Sequence, residues 1–240
     1  MLAQHLRYAL AACCLALSLS SAPAETLQLP DNLTGFDTDE GEAYLVESDA
    51  REAYFPLASN FLTQKTQSFC GVASIVMVLN SLGVLAPEVA EYQPYRTFTQ
   101  DNVLDERTDT VLPRATLAEI GMTLDQIGGI LATKGVSVSV HHATDTSLDE
   151  FRKVARAALG EKGRFVIVNY LRKAMGQEKG GHISPLAAYD SKSDRFLILD
   201  VARYKYPPVW VSASDLFTAM NTTDSDNENK TRGFVVIAAQ

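Results

Sequence analysis

The hydrophobic pattern of this chain changes character at Gly160. Before this residue, apolar side chains recur at helical spacing; after it, short runs rich in valine, isoleucine and aromatic residues alternate with polar turns, as in β-strands. Helices grouped ahead of strands indicate an α+β fold, in which a helical part packs against an antiparallel sheet. We expect a helical lobe over about residues 25–160, a sheet lobe over about 161–240, and a functional cleft between them.

Three segments predict helices. Residues 70–82 are almost wholly apolar, with Ser68 as the expected N-cap and Gly83 at the C-terminal end. The other two segments begin with capping sequences at Thr123 and Ser147. The predicted helices cover residues 70–82, 123–134 and 147–160. The predicted strands cover residues 136–140, 165–170, 182–189, 195–201, 209–211 and 233–238.

Cys70 lies in the first turn of the first predicted helix. The unpaired N–H groups and the positive end of the helix dipole favour a thiolate there, which lowers the pKa of a thiol from its ordinary value of about 8.5. A thiolate can attack a carbonyl carbon at neutral pH. The alternative is that Cys70 is a small buried hydrophobic residue, and the position alone does not decide between the two.

The first 24 residues have the pattern of a secretory signal peptide. Arg7 precedes an apolar stretch over residues 8–19, and small residues follow at 22–24. We expect export to the periplasm or the exterior. Residues 10–13 also resemble a lipoprotein box, which we favour less because cleavage there would leave a short apolar stretch. Exported proteins usually pair their cysteines, so Cys70, the single cysteine left after cleavage, indicates a chemical role.

The span that follows the signal, residues 25–240, is long enough for one substantial core, and we expect a single catalytic domain. It carries 29 Asp and Glu against 20 Lys and Arg, a net charge of −9 that argues against a nucleic-acid partner. The apolar stretch of the signal is too short for a permanent membrane helix, and no later segment qualifies. We expect no cofactor, and a homodimer is left open.

Two strands after Gly160 predict a hairpin that carries His182 and Asp200. If the polar turn at residues 190–194 is centred on its middle, facing residue numbers sum to about 384, and the two side chains lie diagonally on one face. A shift of one residue would put them on opposite faces. On one face, His182 can hold the proton of Cys70 while the carboxylate orients the ring. The alternative is a structural His–Asp pair.

Gln64 precedes Cys70 by six residues, a separation at which papain-like enzymes place the glutamine of the oxyanion hole. Gln67 is an alternative donor. One cysteine and one histidine without a close second ligand make a poor zinc site. His141 and His142 are neighbours on a predicted strand and point to opposite faces, so we interpret them as surface residues.

Four blocks of sequence resemble the phytochelatin synthase family. They read FCGVAS at residues 69–74, VLN at 78–80, GHISP at 181–185 and LDVARYKYPPVWV at 199–211. The last block is long and unusual in composition, and the similarity extends from about residue 55 to 238. The likeness is to the short bacterial members, since the chain stops at Gln240 without the Cys-rich region of the plant enzymes.

The resemblance implies a papain-like fold and γ-glutamylcysteine dipeptidyltransferase chemistry on glutathione. By position, Cys70 would be the nucleophile, His182 the acid and base, Asp200 the orienting carboxylate and Gln64 the oxyanion donor. The thiolate would attack the Cys–Gly amide, release glycine and leave a γ-Glu-Cys acyl-enzyme. A second glutathione or a growing phytochelatin would accept the acyl group, or water would hydrolyse it.

The resemblance also assigns Arg232, Asp224 and Gly181 to the substrate site. An arginine can hold a carboxylate with two hydrogen bonds and an aspartate can hold an ammonium group, and glutathione carries both. Without a Cys-rich region we expect hydrolysis to γ-Glu-Cys to exceed phytochelatin synthesis. We expect no metal site in the protein; cadmium would act as a thiolate complex of glutathione, in heavy-metal detoxification.

Two other classes of protein remain as alternatives. A general papain-like cysteine peptidase would share Cys70 and its partners but would cleave ordinary α-peptides. A non-enzymatic thiol-binding or metal-binding protein would need no histidine partner for its cysteine.

Overall fold

The computed structural model, which describes residues 26–240, has a seven-stranded antiparallel sheet as its central element. The strands are β1 (Thr34–Gly35), β2 (Ser137–His142), β3 (Arg164–Leu171), β4 (Gly181–Asp190), β5 (Arg195–Ile198), β6 (Val209–Ser212) and β7 (Gly233–Ala238). Their spatial order is β1-β6-β5-β4-β3-β7-β2, and all neighbours are antiparallel. The predicted signal peptide, residues 1–24, lies outside the described range.

Within residues 26–240 the α-helices are α1 (Asp39–Glu47), α2 (Tyr54–Ser59), α3 (Cys70–Ser81), α4 (Glu106–Val111), α5 (Arg114–Ile120), α6 (Leu124–Ala132), α7 (Leu148–Leu159) and α8 (Ala213–Met220). Helix α3 packs against β4, α6 against β2, and α7 and α8 against β3. The α+β prediction is confirmed. Strands β1 and β2 come from before residue 160 and α8 from after it, so both parts of the chain contribute to the sheet and to its cover.

Helix α3 is buried along nearly its whole length, from Cys70 to Leu79. A helix that is apolar on every side must lie inside the molecule, and its contacts with β4 place Cys70 against the sheet. The predicted cap is wrong. The N-cap is Phe69, without a side-chain hydrogen bond, while the Ser68 hydroxyl pairs with the Thr66 hydroxyl at 3.0 Å.

The capping predictions for the other two helices are confirmed. Thr123 forms a complete capping box with Gln126 at the start of α6, and the Ser147 hydroxyl accepts from the Glu150 N–H at the start of α7. Such caps satisfy N–H groups that the helix itself leaves unpaired. The capping box fixes the position of Thr123, which becomes important because this residue also lines the cavity described below.

Strands β3 and β4 lie at the middle of the sheet and are buried over most of their length. Covered strands usually form continuous apolar runs. Apart from Asp190 at the turn end of β4, the buried polar residues of these strands are Asn169 on β3 and His182 and Ser184 on β4. Buried polar groups need partners, so these three residues mark a region where the interior has a role besides packing.

Candidate active site

Cys70, His182 and Asp200 meet at one corner of the sheet. Cys70 starts α3, His182 is the second residue of β4, and Asp200 follows the end of β5. The His182 Nε2 lies 2.8 Å from the Asp200 Oδ1, and the imidazole also interacts with the Cys70 thiol. All three side chains are buried, and Asp200 has no exposed surface. The predicted trio is therefore assembled as a nucleophile, a base and an orienting carboxylate would be.

The register of the hairpin decides whether His182 and Asp200 can meet. Near the turn, Asp190 pairs with Arg195 and the facing numbers sum to 385, which would put His182 and Asp200 on opposite faces. A β-bulge between residues 186 and 188 then restores the sum to 384. The predicted sum therefore holds where it is needed, but only because of this bulge.

The electrostatics of the trio favour its charged form. Burial raises the pKa of the Cys70 thiol, but the His182 imidazole and two backbone N–H groups outweigh it, and the net pKa is lowered. Burial opposes the charge on His182, but the Asp200 carboxylate outweighs this effect and raises the pKa of the imidazole. Burial likewise raises the pKa of Asp200, but its cationic neighbours lower it to about 2. The arrangement supports thiolate, imidazolium and carboxylate together.

Arg172 is a site residue that sequence reasoning missed. Its Nη2 lies 2.9 Å from Oδ1 and 2.8 Å from Oδ2 of Asp200, and its Nη1 donates to the Gln177 Oε1 at 2.7 Å. The Ala202 N–H also donates to the Asp200 Oδ1. A buried carboxylate is stable as an ion only with such partners. Nothing in the sequence singles out an arginine that follows a strand and pairs with a residue 28 positions away.

Gln64 is buried beside the same corner. Its Nε2 donates to the Thr66 carbonyl at 2.7 Å and to the Tyr204 hydroxyl at 3.1 Å, and its backbone N–H donates to the Val201 carbonyl at 2.8 Å. The amide thus links the segment before α3 to the segment after β5. Both side-chain N–H groups have partners, so binding an oxyanion would require an exchange of one partner. The oxyanion role remains a prediction.

A cavity of about 130 Å³ opens at Cys70. Residues 120–123 form one part of its wall and Asp224 and Arg232 another, and Gly181 lies beside Arg232. The Arg232 Nη2 lies 3.4 Å from the Asp224 Oδ1, and Nη1 donates to the Thr223 carbonyl at 2.6 Å. The three residues assigned to the substrate by resemblance therefore line one cavity together with the nucleophile.

Asn169 and Met122 also line this cavity and were missed from the sequence. The signal for Asn169 was present, as a single polar residue inside an otherwise apolar strand. Met122 packs over Gly71, where an added Cβ would lie 2.5 Å from its sulfur. Only glycine after the nucleophile leaves room for the thioether at this wall.

A second cavity of about 560 Å³ lies on the other side of His182. Gln64 and Arg172 line it, together with the cationic side chains of Lys179 and Lys205. Gln67, Gly181 and His182 line both cavities. The catalytic corner therefore adjoins two cavities, one of about 130 Å³ and one of about 560 Å³.

The family model described as phytochelatin synthase matches residues 24–234 of this chain. The chain belongs to the phytochelatin synthase family. It is 36% identical over 195 residues to the glutathione gamma-glutamylcysteinyltransferase 1 of Lotus japonicus, covering 80% of this chain and 37% of that protein. It is 29% identical over 213 residues to the glutathione gamma-glutamylcysteinyltransferase of Schizosaccharomyces pombe, covering 88% of this chain and 50% of that protein.

The chain thus spans between about a third and a half of the length of these phytochelatin synthase relatives. The Arabidopsis thaliana glutathione gamma-glutamylcysteinyltransferase 1 gives the same picture, with 32% identity over 85% of this chain and 41% of that protein. The matched part contains Cys70, His182 and Asp200, and the α+β architecture with a nucleophile helix on an antiparallel sheet agrees with the papain-like domain expected for the family.

Among the helices of residues 26–240 of this phytochelatin synthase family member, none has the length and apolar character needed to span a bilayer. Within the same residues, no three His, Cys, Asp or Glu side chains gather as metal ligands would. His141 and His142 have separate partners: His141 stacks on Phe234, and His142 contacts Asp125.

Proposed function

We propose that the chain transfers the γ-glutamylcysteine unit of glutathione through an acyl-enzyme on Cys70. The observation that carries the proposal is the buried trio of Cys70, His182 and Asp200. Cys70 and His182 line a cavity that also contains the paired side chains of Arg232 and Asp224. The names of the relatives, glutathione gamma-glutamylcysteinyltransferases, support the same reaction.

In the first half-reaction the Cys70 sulfur attacks the carbonyl carbon of the Cys–Gly amide. A C–S bond forms, and His182 delivers its proton to the glycine nitrogen as the C–N bond breaks. Glycine leaves, and γ-Glu-Cys remains as a thioester. Asp200 holds the ring and stabilises its charge before the proton is delivered.

In the second half-reaction an amine or water attacks the thioester. His182, now neutral, accepts a proton from the attacking group, the C–S bond breaks, and the thiolate is restored. The amine of a second glutathione would yield phytochelatin; water would yield γ-Glu-Cys. We propose that the Cys70 N–H and the Gln64 amide stabilise the oxyanion in both steps, with Gln64 released from one of its present partners.

Arg232 and Asp224 would recognise the two charged ends of the γ-glutamyl group. Their side chains lie in contact, so an amino acid head with a carboxylate beside an ammonium can replace their mutual pairing. Gly181 adds no side chain next to Arg232, which leaves the backbone open to the ligand. An α-linked peptide lacks a free amino acid head at this distance from the scissile amide.

We propose that water is the main acceptor at modest glutathione concentrations. Water is always present, whereas an acceptor peptide competes only while it is bound close to the thioester. The wider cavity, with Lys179 and Lys205 among its lining residues, offers a place for such a peptide. Phytochelatin would therefore increase with glutathione concentration, and a cadmium thiolate of glutathione would serve as substrate without a metal site in the protein.

The test compares glutathione with its α-linked isomer Glu-Cys-Gly. We expect glycine release from the γ-linked peptide, none from the isomer, and none from Cys70→Ser. Cleavage of both peptides at similar rates would favour a general peptidase, and glycine release by Cys70→Ser would refute the nucleophile. Mass spectrometry over a range of glutathione concentrations, with and without cadmium, would show whether phytochelatin dominates at low glutathione, which would overturn the hydrolysis proposal.

Export of the chain is a separate proposal that rests on the first 24 residues. Cell fractionation and N-terminal sequencing of the mature protein test it. An N-terminus near residue 25 in an exported fraction would support the proposal, and an intact N-terminus in the cytoplasm would refute it.

A further inference from the structure

The wall that carries Asp224 and Arg232 is a loop between α8 and β7, residues 221–232. It is closed at its base by a β-bridge between Thr223 and Thr231, and the Asp224 N–H donates to the Lys230 carbonyl at 2.9 Å. These bonds shape the loop but do not attach it to the part of the cavity wall formed by residues 120–123. Its attachment to the rest of the molecule must be sought outside the loop.

His142, at the end of β2, provides one such attachment. Its Nδ1 lies 2.6 Å from the Thr231 carbonyl oxygen, and its Nε2 lies 2.8 Å from the Asp125 Oδ1. The side chain is largely buried. The next residue, Ala143, donates its N–H to the Arg232 carbonyl at 2.9 Å. The imidazole therefore touches the loop directly before the arginine of the substrate wall.

Asp125 connects the same cluster to the part of the cavity wall formed by residues 120–123. It lies in the first turn of α6, two residues after Thr123, which lines the cavity. Its Oδ1 faces His142 and its Oδ2 accepts from the Lys230 Nζ at 2.7 Å. One carboxylate thus joins the start of α6 to the loop twice, directly through Lys230 and indirectly through His142.

Both atoms that face the imidazole are acceptors. The Thr231 carbonyl can only accept. Burial raises the pKa of Asp125, but Lys230 and His142 outweigh it and lower the pKa, so this group is a carboxylate and also accepts. Two acceptors at hydrogen-bond distance are satisfied only when both ring nitrogens carry a proton. A neutral imidazole would turn a lone pair toward one of them.

We propose that His142 is a positioning residue that clasps the loop of residues 221–232 to the start of α6 and thereby holds Arg232 and Asp224 in place for the substrate. The proposal rests on the proposed function, because Arg232 and Asp224 are taken as the groups that hold the γ-glutamyl head. The sequence suggested a surface residue at this position, but the His142 side chain is largely buried. The proposal gives it a role in substrate affinity.

The test measures glutathione binding by calorimetry in a Cys70→Ser background. His142→Asn keeps an N–H near the position of Nδ1 but lacks the second ring nitrogen that contacts Asp125. We expect it to weaken binding about fivefold. Asp125→Asn, which removes the carboxylate shared by His142 and Lys230, should also weaken binding, and it serves if His142→Asn does not fold.

His141→Gln is the matched control, because this neighbour stacks on Phe234 and does not touch the loop. Its affinity should equal that of the parent. In the wild-type background we expect His142→Asn to raise KM for glycine release with kcat within about twofold. Parental affinity in His142→Asn, or an equal effect of His141→Gln, would overturn the clasp, as would a loss in kcat with KM unchanged.

Hydrogen exchange of the Asp224 and Arg232 amides separates this proposal from the proposed function. If neither the parent nor any variant binds glutathione, the proposed function fails. The clasp would still predict that protection of these two amides, corrected for the intrinsic rate, is lower in His142→Asn than in the parent and in His141→Gln. Equal protection in all three proteins would refute it.

Discussion

The catalytic corner and the substrate wall are built on different principles. His182 and Asp200 are buried, tied to regular strands, and held by Arg172 at 2.8–2.9 Å. The wall that carries Arg232 is an irregular loop attached through Lys230, which is about half exposed, and through His142. The charged groups of the corner are almost fully buried, whereas Arg232 and Asp224 each keep about a tenth of the side chain exposed and Lys230 keeps about half.

The difference implies a division of labour. Groups that move a proton need fixed geometry and a low dielectric, which a covered sheet supplies. Groups that admit and release a charged ligand must give up their own partners, which a loop with a 3.4 Å ion pair allows. Substitutions at the corner should therefore lower kcat, and substitutions at the wall should raise KM.

Cys70→Ser should have the largest effect. The serine hydroxyl is far less ionised than this thiol, so we expect glycine release to fall by at least about a thousandfold with the fold retained. Glycine release by mass spectrometry and the circular dichroism spectrum check the prediction. Activity within tenfold of the parent would end the assignment of Cys70 as nucleophile.

His182→Ala and Asp200→Asn should separate proton transfer from orientation. We expect His182→Ala to lose about a thousandfold in kcat and Asp200→Asn only about ten- to a hundredfold, since papain-like enzymes use asparagine at the third position. His141→Ala is the matched histidine control. If both corner variants turned over at the parental rate, the corner would not be where the chemistry occurs.

Acid should destabilise the fold through Asp200. The pKa of Asp200 is about 2 in the folded protein, against 3.8 for an ordinary carboxyl. A lowered folded-state pKa stabilises the fold above the ordinary value, and this difference contributes about 2 kcal/mol that is lost as the pH falls toward 2. Urea unfolding between pH 5 and 2.5 should show a smaller decline in Asp200→Asn; an identical decline in both proteins would contradict the lowered pKa.

Arg232→Lys should have the smallest effect. Lysine keeps the charge but loses the two-pronged geometry, so we expect KM for glutathione to rise about tenfold and kcat to change little. Arg164→Lys, at the start of β3, is the control. A fall in kcat with KM unchanged would place Arg232 with the corner and break the comparison between the two regions.

Local pattern accounts for the elements that were predicted correctly. Helix α3 is fixed by its apolar composition and by Gly83, and α6 by the capping box at Thr123. The prediction at Ser68 was wrong because the helix begins with Phe69 as its N-cap, and the Ser68 hydroxyl pairs with the Thr66 hydroxyl instead. Arg172 was missed because its partner Asp200 is distant in the chain, and Arg172 itself carries no local signal of a buried ion pair.

The sequence by itself determined the residue types of the site and their order along the chain. Only the tertiary structure decided that His182 and Asp200 share a face. The turn at residues 190–195 starts the hairpin in a register that would separate them, and the bulge between residues 186 and 188 corrects it by one residue. A bulge is stabilised by how the strand packs on its neighbours, so the local pattern of the two strands does not reveal it.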